Sequence, residues 1–100
     1  MGNAQPVLSY RRDLPNGDII QVVVWLLPEP LPGSPHPYKY RLHYQTAGGS
    51  DVIRYDNERG KGDHRHIKGQ EEPYRFESVK RLALDFYEAV KQVRKSGGIR

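Results

Sequence analysis

The sequence predicts an α+β fold: an antiparallel β-meander of four to five strands with one C-terminal amphipathic helix packed on one face. Three observations predict it. Short β-rich stretches separated by turn residues come first in the chain. One of them, Tyr38 to Gln45, alternates with the period of a strand. The last stretch, from Val79, repeats apolar residues at helical spacing. Strands followed by a helix argue for separate layers rather than alternating parallel units.

Each element follows from its residues. Residues 1–6 are polar and read as a frayed start. Val7 to Leu14 reads as a strand that meets Pro15-Asn16-Gly17-Asp18, where proline presets its own φ and Asn-Gly accepts positive φ. Ile19 to Leu27 is the return strand, since the β-branched run Val22-Val23-Val24 disfavours helix. Residues 28–37 hold five prolines, which cannot join a helix or a central ladder. This segment reads as an extended loop, either a plain connection or a polyproline-type binding segment.

In the third strand Tyr38, Tyr40, Leu42 and Tyr44 face one way and Lys39, Arg41, His43 and Gln45 the other. Gly48-Gly49 turn the chain into a fourth strand, Asp51 to Asp56, with Ile53 and Tyr55 on one face and Val52, Arg54 and Asp56 on the other. His64 to Ile67 reads as a short last strand, and Glu71 to Phe76 as a connector. Ser78 is placed to cap a helix from Val79 to about Lys95, with Val79, Leu82, Phe86, Ala89 or Val90, and Val93 on its buried face. Ser96-Gly97-Gly98 stop it, leaving residues 97–100 as a tail.

Length and composition bound the functional classes. One hundred residues make one domain, residues 1–100, with room for a modest core. The absence of cysteine excludes disulfides, thiolate metal sites and a cysteine nucleophile. The longest apolar run, Val22 to Leu27, is six residues, whereas a bilayer span needs about 20. With no apolar signal core near the start, a cytoplasmic protein without membrane contact is expected. A net charge of +4 permits an anionic partner without requiring one.

Burying Tyr44, Leu42, Ile53 and Tyr55 together requires Tyr44 to pair with Ile53 and Leu42 with Tyr55. His43 then lies opposite Arg54 and Arg41 opposite Asp56, on a polar face shared with Lys39. Such a face is either ordinary solvated sheet or a binding surface. The second strand is apolar on both sides apart from Gln21. One helix covers one side. The other requires the Pro-rich loop, the N-terminal segment or a second copy of the chain, which would make a homodimer.

The densest reactive patch is Arg54-Tyr55-Asp56-Asn57 with His64-Arg65-His66. In an extended segment His64 and His66 point to the same side. With His43 and Asp56 they are the candidate catalytic residues. Two imidazoles can serve as acid and base on a phosphodiester, with Arg41, Arg54, Lys39 and Arg65 holding phosphate oxygens. RNA carries its own 2′-hydroxyl nucleophile, so this chemistry needs no cofactor. The alternative is a metal site of His64, His66 and Asp56. Solvent-exposed histidines without a role are an equally ordinary outcome. Tyr55 and Tyr87 are phenols placed mainly in the core.

Arg54-Tyr55-Asp56-Asn57, a Gly- and charge-rich gap, His64-Arg65-His66 and then an amphipathic helix resemble the TumE-like family of small prokaryotic proteins. Tyr38 to Tyr44 resembles the Tyr-rich strand that precedes these elements, so the resemblance covers about residues 38–95. The resemblance implies a toxin of a type II toxin–antitoxin module with a cognate DNA-binding antitoxin, and by analogy an action on RNA or translation. A non-enzymatic interaction protein and a metal-dependent hydrolase are the competing readings.

Overall fold

A computed structural model describes residues 3–58 and 60–95. Six strands, β1 (Gln5–Asp13), β2 (Ile19–Leu26), β3 (Tyr38–Gln45), β4 (Asp51–Glu58), β5 (Gly62–Ile67) and β6 (Gln70–Pro73), precede one helix, α1 (Val79–Lys95). They form one antiparallel sheet in chain order, β1-β2-β3-β4-β5-β6. The expected α+β meander is present, with six strands rather than four to five.

The additional strand is β6, which occupies the first half of the expected connector. Lys68 and Gly69 both take positive φ, 52° and 85°, and join Ile67 to its partner Gln70 as a two-residue hairpin turn. Lysine is an unusual residue for that conformation, and the sequence Gln-Glu-Glu-Pro has no alternation. Both features hid the hairpin. An exposed, charged, proline-ended strand is nonetheless typical of a sheet edge.

At the opposite edge, Gln5 and Pro6 pair with Leu26 and Trp25, so the expected fraying does not reach residues 5 and 6. Backbone pairing holds them although their side chains are polar or small. Residues 1–2, the expected helix stop at 96–98 and the expected tail at 97–100 lie outside the described residues.

The β3–β4 register pairs Tyr44 with Ile53, Leu42 with Tyr55, His43 with Arg54 and Arg41 with Asp56, as the apolar pattern requires. The pairing then shifts to Gln45–Asp51, leaving Val52 without an opposite residue. This bulge breaks the expected alternation. Val52 packs against the core and lines a cavity with Val93, while Asp51 joins the face of Arg54.

Helix α1 lies on the face of Val22, Val24, Tyr40, Leu42, Ile53 and Tyr55, all at most 1% exposed. It contributes Leu82, Phe86, Val90 and Val93, spaced by helical turns. Ser78 Oγ accepts the Arg81 backbone N–H at 3.0 Å, which satisfies a donor left free at the helix start. Tyr87 is half-buried, and its hydroxyl meets that of Tyr10 on β1.

The Pro-rich segment folds back onto this same face. The Leu27 N–H donates to Pro37 O at 2.7 Å and closes the loop. His36 is buried and stacks on Phe76 with ring centroids 3.9 Å apart. No described helix crosses the other face of the sheet. There Trp25 remains 37% exposed and Val23 half-buried.

Candidate functional site

Strand alternation and register assemble the open face. From β3 it receives Lys39, Arg41 and His43; from β4 Asp51, Arg54 and Asp56; from β5 His64 and His66; and from β6 Glu71. Arg54 lies opposite both His43 and His66, and Asp56 opposite both Arg41 and His64. The expected clustering of the two histidines with Asp56 and Arg54 is therefore a product of register.

The geometry is acidic and basic in alternation. His64 Nε2 is 2.7 Å from Asp56 Oδ1 and 3.7 Å from Glu71 Oε2. His66 Nε2 is 3.6 Å from the same Glu71 oxygen. The two imidazole rings meet edge-on, with centroids 5.7 Å apart. His64 is the buried member of the pair and His66 the half-exposed one. The His64 Nδ1–H donates to Gly62 O at 3.3 Å. Asp56 Oδ2 faces Arg54 Nε at 3.3 Å, and a second arginine nitrogen is 3.7 Å from Asp51. Among the described residues, neither Asp56 Oδ1 nor Arg54 Nε has a hydrogen-bond partner, although both are buried.

His43 stands apart from the histidine pair. Its Nδ1 is 3.3 Å from Asp51 Oδ1 and its Nε2 3.4 Å from Gln21 Oε1. Lys39 Nζ donates to Asn57 O at 3.2 Å. Arg41 is exposed and, among the described residues, makes no ion pair. It lines a shallow depression with Gln21, Val23, His43 and Asp51. Arg54 thus adjoins the pair with positive charge, and Lys39 and Arg41 lie one strand further.

Arg65, the fourth expected phosphate ligand, is on the other side of the sheet. It pairs with Glu72 and donates to the Tyr55 hydroxyl at 3.1 Å, with its guanidinium 5.8 Å from the Tyr55 ring centre. Its position between two histidines in sequence is what turns it away. Burial raises the Tyr55 hydroxyl above the ordinary tyrosine range, with Arg65 opposing the shift, so Tyr55 is a core phenol.

Two residues escaped the sequence reading. Glu71 joins the histidines only because β6 exists. Its signal was the Lys-Gly turn, which sets His66 opposite Glu71. Asp51 reaches the face only through the bulge at Val52.

The donors have two uses. One ligand atom from each of His64, His66 and Glu71 lies within 4.8 Å of the other two, a separation that a single ion can span. Without an ion, the same imidazoles can exchange protons with a substrate beside guanidinium groups.

Comparison with known proteins places the whole assembly in one family. No curated protein and no solved structure matches the chain. The family model described as Toxin TumE matches residues 3–94, which takes in all six strands and nearly all of α1. The resemblance carried by the third strand, Arg54-Tyr55-Asp56-Asn57 and the histidine segment thus extends back through β1 and β2, and the chain belongs to the TumE toxin family.

Proposed function

We propose that the chain is the toxin of a type II toxin–antitoxin module, acting in the cytoplasm as a metal-independent ribonuclease at its open sheet face. Membership of a toxin family implies an antitoxin partner in general, and a DNA-binding antitoxin is the proposed one. The observation that carries the ribonuclease reading is the adjacency of His64 and His66 on a face that α1 leaves uncovered, with Arg54 opposite His66 and Arg41 one strand further.

In the proposed reaction an imidazole takes the proton of the RNA 2′-hydroxyl. The 2′-oxygen attacks the adjacent phosphorus, the bond to the 5′-oxygen breaks, and the second imidazole returns a proton to that oxygen. A 2′,3′-cyclic phosphate results. His66 and His64 are the acid and base, and Asp56 orients His64 and Arg54. Arg41 and Arg54 neutralise the phosphate, with Lys39 and His43 at the border.

The test is cleavage of a mixed-sequence RNA by purified protein in EDTA, with His66→Ala alongside. Cutting by the wild type and not by the variant supports the reading. Equal cutting by both, or by neither, sinks it.

One observation favours a second reading, a non-enzymatic binding protein. Val23 and Trp25 form an apolar strip beside Lys39 and Arg41 on the uncovered face, a surface that a second copy or another partner could occupy. Sedimentation as a monomer at high concentration, with no salt-dependent RNA binding, removes it.

A further inference from the structure

We propose that His64, His66 and Glu71 form a binding site for a divalent transition-metal ion, zinc foremost, and that the bound ion withholds both imidazoles from RNA. The second half rests on the ribonuclease reading above; the first does not.

The donor spacing carries the site. Glu71 Oε2 is 3.7 Å from His64 Nε2 and 3.6 Å from His66 Nε2. A tetrahedral zinc ion with bonds of about 2.0–2.1 Å separates its donors by about 3.3 Å. Glu71 needs to close on each imidazole by only a few tenths of an ångström, and the donor atoms of the two imidazoles lie within 4.8 Å of each other. They sit on two adjacent strands of a hairpin, so the backbone already fixes their approach. Two imidazoles and one carboxylate are a known catalytic-type zinc donor set that leaves a coordination position open, and the half-exposed His66 and exposed Glu71 put that position toward solvent.

Two further observations point to a cation there. The His64 Nδ1–H donates to Gly62 O, which directs the Nε2 lone pair into the cluster. A histidine ligand is commonly held in this way through its other nitrogen. Behind it, Asp56 Oδ1 is buried, 2.7 Å from that same Nε2, and accepts no hydrogen bond from any described residue. At this distance either a proton on Nε2 or a bound cation joins the imidazole to the carboxylate, and an ion can take the place of that proton. Asp56 is accordingly a charge partner for the ion behind His64.

The neighbouring cations leave room. Arg54 is matched by Asp51 and Asp56. Lys61 Nζ is 4.0 Å from Glu71 Oε2 and also pairs with Glu58 at 3.7 Å, so it can yield Glu71 and keep a partner. Imidazole donors select zinc, copper or nickel over magnesium. Both histidines would ligate through Nε2, the nitrogen that each turns toward Glu71. Metal binding and proton transfer at these atoms are mutually exclusive.

The experiment is calorimetric titration of the untagged, metal-stripped full chain with zinc sulfate, beside Glu71→Gln and His66→Ala, with magnesium as control. One zinc per chain, at least tenfold weaker binding in each variant and no magnesium binding support the site. No saturable one-to-one binding, or equal binding by Glu71→Gln, overturns it. Glu71 lies on an exposed edge strand, so circular dichroism of Glu71→Gln serves to show that the variant remains folded. RNA cleavage by the stripped protein, then with one equivalent of zinc, tests the consequence. Loss of cleavage on adding zinc supports withholding; cleavage that requires zinc overturns it. If neither sample cuts, the ribonuclease reading and withholding fall together, and the titration alone decides the site.

Discussion

His36 Nε2 donates to Asp63 Oδ1 at 2.9 Å, and this bond pins the Pro-rich segment to the start of β5. His36 Nδ1 accepts the Tyr38 N–H at 3.1 Å, so the proton of the neutral ring is on Nε2. Tyr40 donates to the same Asp63 oxygen at 2.6 Å. Burial, followed by this bond to Asp63, raises the Tyr40 hydroxyl well above the usual tyrosine range. The segment is a latch over the end of the core. His36→Ala removes the ring that stacks on Phe76 and leaves Asp63 short of a donor. A loss of about 2–3 kcal/mol in urea unfolding is expected. An unchanged midpoint would show that the loop contributes nothing to stability.

Asp18 gives the acid limb of stability. Its carboxylate accepts the Tyr44 hydroxyl, the Asn16 amide and the Ala47 N–H, and faces Arg94. The Tyr44 bond, opposed by burial and aided by the other partners, holds its pKa below the usual aspartate value of 3.8. A group depressed in the folded state stabilises above its unfolded pKa, and that contribution fades as pH falls through the folded one. Stability attributable to Asp18 is therefore intact at neutral pH and lost below about pH 4. Asp18→Asn should lower stability at pH 7 and flatten its fall in acid, as measured by thermal melts from pH 7 to 2.

Lys68 spends a residue with a side chain on positive φ, where Asn is better tolerated. Lys68→Asn creates an Asn-Gly hairpin turn and should stabilise by a few tenths to about 1 kcal/mol. Because the turn positions Glu71, the same variant should sharpen the Glu71 amide signal in NMR spectra. A drop in stability would mean that the lysine side chain makes a contact outweighing its backbone cost.

Arg41 and Arg65 separate binding from architecture. On the ribonuclease reading, Arg41→Ala should weaken RNA binding evenly across sequences and reduce the magnitude of the salt slope by about 0.7 for single strands. Arg65→Ala should leave that slope unchanged and cost about 1–2 kcal/mol of stability through Glu72 and Tyr55. The reverse pattern would relocate the RNA surface to the other side of the sheet.

What was legible in the sequence was periodicity. Alternation in Tyr38–Gln45 and the β-branched run in Val22–Val24 set two central strands, and burial demands then set the β3–β4 register pair by pair. Helical spacing and Ser78 located α1. What was hidden depended on local backbone exceptions. Val52 leaves the alternation because a bulge inserts one residue, and no residue type announces it. The Lys68-Gly69 turn hid β6, and with it Glu71. The site was accordingly read as histidines plus Asp56, without the carboxylate on the neighbouring edge strand.

Strand order that follows chain order has a consequence for biosynthesis. Each strand finds its partner immediately upstream, so hairpins can zip one after another as the chain emerges. The lid is made last: β6 ends at Pro73 and α1 at Lys95. At roughly 5–20 residues per second, about 1–4 s separate a paired sheet from a covered one. During that interval Val22, Leu42, Ile53 and Tyr55 face water. A ribosome that stalls within α1 leaves a nascent sheet with its adhesive side open.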